Sequence, residues 1–133
     1  MTGSAGDDPS TDYLGVDGLL EIAAGVIGEF AVRDHGLLAS AAARPRTSAF
    51  GDDAYPAFAG KAAALMDAIA RNHALVDGDK RLAWAATRAF CLLNGRDLVF
   101  GVDDAERLVQ SVARGELEAS EIERVLATQH TSV

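Results

Sequence analysis

The sequence predicts an all-α fold, a compact single-domain bundle of about six helices, on three observations. Apolar residues recur at three- and four-residue spacing in one segment after another. One of those segments, LAWAATRAFCLL, is apolar nearly all round. No strand-helix alternation and no internal repeat interrupts them. A chain of 133 residues can bury one core and is too short for two ordinary domains. Residues 1–11, rich in Gly, Ser and Asp, read as a disordered tail, which places the helical domain at 12–130.

The elements follow in order. Leu19, Ile22, Ala23, Val26, Ile27 and Phe30 share one helical face. The Ala-rich GLLASAAAR is a second helix, with His35 at its start and Pro45 as its terminator. RPRTSAFGDDAYP, with two prolines, a glycine and an acidic pair, is a loop or flap. Asp52 or Asp53 is expected to cap the helix that follows, with Pro56 in its first turn. On that helix Phe58, Ala62, Leu65 and Ile69 form a buried stripe that delivers His73 at the C-terminal end. LAWAATRAFCLL, stopped by Asn94 and Gly95, is expected to be the central helix, with Trp84 and Cys91 in the core. LVFGV is too short to assign. A fifth helix starts at Asp103, turns Ala105, Leu108, Val109 and Val112 to one side and closes at Gly115. Ser120 with Glu123 suggests a capping box for the last, and His130 falls at a frayed end.

Composition narrows the function. A net charge of -8 argues against general nucleic-acid binding, and no apolar run approaches the roughly 20 residues of a membrane span. The start, MTGSAGDDPSTD, lacks the pattern of a secretory signal, so the expected location is cytoplasmic. One cysteine permits neither an internal disulfide nor a zinc cluster. The charge is uneven: from Arg33 to Arg96 there are nine basic and six acidic residues, against three and fourteen elsewhere. That cationic stretch surrounds HALVDGDKR at 73–81.

In this stretch a helix beginning near Asp79 leaves its first N–H groups unpaired, and Gly78 lets a ligand approach the backbone. Lys80 and Arg81 sit in the first turn, where cations oppose the helix dipole, so an anion is expected there. A phosphate fits, with Asp77 as a magnesium ligand and His73 as a general base for an incoming hydroxyl. The alternative is an interhelix turn whose polar residues simply face water. A calcium loop is excluded because Arg81 and Arg88 stand where ligands belong, and no Walker A loop, dinucleotide-binding glycine pattern or HExxH is present.

H-x-x-x-D-G-D-K-R between two helices, with ARN before it and an apolar helix ending in NG after it, resembles the Fic/Doc superfamily. Within it the chain is similar to the Doc, or death-on-curing, branch, whose signature is H-x-F-x-D-x-N-K-R. The resemblance runs from about Tyr13 to Gln129 and includes VRDHGLL. It implies a toxin of a toxin-antitoxin pair, a kinase that moves the γ-phosphate of ATP to a threonine of elongation factor Tu and stops translation. It also implies ATP and Mg2+ as cofactors, a Phd-like antitoxin as partner, His73 as base, Asp77 as metal ligand, and Gly78, Asp79, Lys80 and Arg81 around the phosphate, with Arg71 supporting the loop. Fic-type AMP transferases carry G-N-G-R-x-x-R, and Lys80 and Trp84 depart from that pattern. Leu75 replaces the signature Phe, and Asp79 replaces the Asn, exchanging an amide that can donate to phosphate for a carboxylate that cannot. That exchange opens a third reading, a catalytically silent module that still binds the antitoxin.

Overall fold

The computed structural model describes residues 11–132, with 130–132 as backbone only. The expected tail lies almost wholly outside the described residues. Among the described residues six α-helices make up the fold: α1 Val16–Val26, α2 His35–Ala43, α3 Phe58–Asn72, α4 Asp79–Leu93, α5 Val102–Ala113 and α6 Ala119–Thr128. Two short antiparallel ribbons accompany them. β1 (Ser48–Ala49) pairs with β2 (Asp52–Asp53), and β3 (Arg96–Leu98) pairs with β4 (His130–Ser132) in the register Arg96 to Ser132. The LVFGV stretch thus begins with Leu98, the last residue of β3, and ends with Val102, the first of α5.

The central helix is α3, not α4. It packs against α2, α4, α5 and α6, and every residue from Gly60 to Ala70 is buried. Its alanines explain this, because small side chains let four neighbours approach the axis closely. On α4 the buried set is Leu82, Ala83, Ala86, Thr87, Phe90 and Cys91, while Lys80, Arg81, Arg88, Leu92 and Leu93 are exposed. Trp84, expected in the core, is half-buried and packs against its edge, edge-on to Phe100 at 5.2 Å.

Several boundaries shift for local reasons. α1 stops at Val26, so Phe30 reaches the core from a loop, beyond Gly28 at φ 89°. Asp34 caps α2 by accepting the Leu37 N–H at 3.1 Å, and Pro45 redirects the chain into a 3-10 turn, Arg44–Arg46. Asp52 and Asp53 do not cap α3. They form β2, and α3 starts two residues beyond Pro56 with Ala57 preceding it. The α6 capping box uses Glu118 and Glu121 in place of Ser120 and Glu123, since a carboxylate accepts N–H groups as well as a hydroxyl does. The β1–β2 hairpin is tied to α3 by Lys61, whose buried ammonium donates to Tyr55 O at 2.7 Å and Asp53 Oδ2 at 3.2 Å.

Candidate active site

The 73–81 stretch joins the C-terminus of α3 to the N-terminus of α4, so two packed helices present it. His73 follows the last residue of α3 with φ 54° and ψ 47°, the left-handed region that glycine usually occupies at a helix end. The turn lifts its ring to the surface, with the side chain 64% exposed. Ala74 and Leu75 then dive into the core at 3% and 1% exposure. Leu75, where the signature carries Phe, thus anchors the loop in the core.

A second segment holds the loop in place. Val32 forms an antiparallel bridge with Leu75. The Arg33 and Asp34 N–H groups donate to Ala74 O at 2.7 and 3.0 Å, and the Val76 N–H donates to Ala31 O at 2.9 Å. The Arg33 guanidinium donates to His73 O through Nε at 2.9 Å and again through Nη2. None of this was visible in the 73–81 motif. The VRDHGLL segment was the available signal, yet 40 residues separate Arg33 from His73.

Gly78 has φ 98°, and a Cβ added there would stand 2.6 Å from Ile27 Cδ1. Glycine is needed at this position on both counts, and Ile27, at the end of α1, packs under the turn. Asp79 opens α4 but bends back: its Oδ1 accepts the Leu75 N–H at 3.1 Å, and its Oδ2 lies 4.0 Å from His73 Nδ1. Asp77 is exposed and accepts the adjacent Gly78 N–H through Oδ1 at 2.9 Å, leaving Oδ2 without a protein partner among the described residues. Magnesium commonly binds through one or two carboxylates plus substrate phosphate and water, so a single exposed carboxylate fits it. Among the described residues no group of three or more His, Cys, Asp or Glu side chains is placed to hold a metal ion.

Lys80 and Arg81 are both exposed, and neither is paired with a carboxylate among the described residues. No side chain caps α4, which leaves its first N–H groups free of side-chain partners. Arg71 does not reach the loop. It pairs with Asp67 at 3.5 Å, beside the Arg44–Asp67 bridge at 3.2 Å. A cleft lined by Phe58, Ala62, Cys91, Arg96, Leu98 and Leu126 lies at the opposite end of α3, about 22 Å along the helix from His73 at 1.5 Å per residue. The cleft and the candidate site are therefore separate.

Together these features set an exposed imidazole beside an uncapped, cation-flanked helix start, an arrangement suited to moving a phosphate-containing group onto a hydroxyl. Residues 13–91 match the Fic/DOC family, and the chain belongs to that family. Over 122 residues it is 48% identical to the Toxin Doc of Mycolicibacterium smegmatis, covering 88% of this chain and 92% of that protein.

Proposed function

We propose that the protein is the toxin of a toxin-antitoxin pair and a kinase that transfers the γ-phosphate of ATP to a threonine of elongation factor Tu, blocking translation. The observation that carries this reading is the exposed His73 ring beside Lys80 and Arg81 at the α4 N-terminus, neither of them paired with a carboxylate among the described residues. Identity to a Toxin Doc supports the toxin role and the expectation of a Phd-like antitoxin. ATP and elongation factor Tu are cytoplasmic, and the reading places the protein there.

In this mechanism the Nδ1 edge of His73 is turned towards Asp79, and Nε2 takes the proton of the target hydroxyl. The hydroxyl oxygen forms its bond to the γ-phosphorus as the bond from that phosphorus to the bridging oxygen breaks, and ADP leaves. Lys80, Arg81 and the first N–H groups of α4 take up the charge on the phosphate oxygens. Asp77 would hold a magnesium ion, which supplies further charge neutralisation when bound. The proton on His73 passes to solvent.

The test is incubation of the purified protein with elongation factor Tu, Mg2+ and ATP labelled at either the α or the γ position. Label from the γ position that disappears in His73→Ala supports the kinase. Label from the α position would instead establish AMP transfer, against which Lys80 and Trp84 speak. No label from either would leave the silent antitoxin-binding module.

A further inference from the structure

We propose that Arg33 is a positioning residue that sets the His73 imidazole by holding the His73 backbone from outside the loop; the kinetic part of this inference rests on the function proposed above. His73 occupies a left-handed conformation that L-residues other than glycine adopt reluctantly and that persists only where the surroundings impose it. The ring does not impose it, since its charged neighbour, Asp79, is 4.0 Å away and the side chain is largely exposed. The restraint therefore has to act on the main chain.

The last carbonyls of a helix lack intrahelical partners, and the N–H groups that follow a left-handed residue usually satisfy them. At the end of α3 a side chain does so. Nε and Nη2 of Arg33 converge on His73 O, and Nη2 is also 3.5 Å from Asn72 O. A planar fork can fix the orientation of a carbonyl in a way that a single ammonium on a flexible stem cannot. Arg33 is itself braced: its N–H and that of Asp34 hold Ala74 O, and Asp34 caps α2. The chain of contacts runs from α2 through Arg33 to the peptide that carries the imidazole. Asp77, Lys80 and Arg81 lie beyond it, in the turn and on α4, and the Arg33 guanidinium donates to His73 O and Asn72 O rather than to any of them.

Arg33→Lys and Arg33→Ala in the full chain test the idea by two measurements. In the first, 15N-histidine spectra are assigned against His73→Ala, with circular dichroism as a check of fold. The second is the rate of γ-phosphate transfer to elongation factor Tu and the KM for ATP. The expected result is that the His73 ring signals shift and broaden in both variants, while kcat falls by roughly ten- to a hundredfold and KM for ATP stays put. His73 signals that superimpose on the wild type would overturn the proposal, as would an unchanged kcat or a loss confined to KM. If the wild-type protein transfers no phosphate, the kinase reading fails and the ring signals alone decide on Arg33. If Arg33→Ala does not fold, the lysine variant, which keeps the charge and loses the fork, decides between the two outcomes.

Discussion

Asp79 Oδ1 accepts the Leu75 N–H at 3.1 Å, so the two residues that depart from the Doc signature are bonded to each other and together fasten the loop carrying His73. Leu75 is 1% exposed, and its N–H would be left without an acceptor if the carboxylate were removed. Asp79→Ala should therefore cost about 1 to 3 kcal/mol in urea unfolding. Asp79→Asn keeps an oxygen for the same N–H, and its stability should stay within about 0.5 kcal/mol of the wild type.

The same amide has consequences for the ligand. It removes a negative charge beside the expected phosphate and adds a donor, so Asp79→Asn should tighten Mg-ATP binding by about 1 to 2 kcal/mol in calorimetric titration. It should also raise toxicity when the protein is expressed without its antitoxin. Equal affinity in the two proteins would show that the carboxylate, held by Leu75, does not oppose the phosphate.

At His73 the demands of conformation and chemistry separate. Replacement by alanine should lower transfer by about 10²- to 10⁴-fold with little change in fold, because the ring is exposed. Replacement by glycine should be equally inactive yet melt no lower than the alanine variant, since φ 54° suits glycine better than any residue with a Cβ. A glycine variant that melts below the alanine variant would contradict the claim of backbone strain.

Lys61 joins the hairpin to the core. Lys61→Met removes the buried ammonium that holds Tyr55 O and Asp53, and about 1 to 3 kcal/mol of stability should go with it. Amide exchange gives the sharper reading. The Ala54 N–H, bonded to Thr47 O at 2.8 Å across the hairpin, should exchange faster, while amides inside α4 keep the protection that global stability allows.

Burial pushes the Cys91 thiol up to about 11. The raised value means that folding favours the neutral thiol, so this contribution is fully present below the ordinary thiol pKa near 9 and is lost as pH rises through about 11. At pH 8 Cys91 should react with a disulfide reagent only as fast as the protein opens, and alkaline unfolding of Cys91→Ser should begin at a different pH. Rapid labelling of the native protein at pH 8 would show the thiol to be accessible.

The sequence by itself determined the helices and marked the loop that carries the candidate site. Periodicity is a local property, and the stripe Phe58, Ala62, Leu65 and Ile69 places His73 at a helix end whatever surrounds it. The pattern of a base, an acid, a glycine and two cations is contiguous, so it too could be read from one segment. Tertiary structure alone decided the rest, because those contacts join residues far apart in the chain. Composition pointed to α4 as the central helix, but small side chains give that place to α3, since close approach depends on what the neighbours bring. The direction of the Asp79 carboxylate follows from a buried N–H at Leu75, and the seat of His73 follows from a guanidinium 40 residues earlier. Spacing can state which groups a segment carries; only packing fixes where each one points.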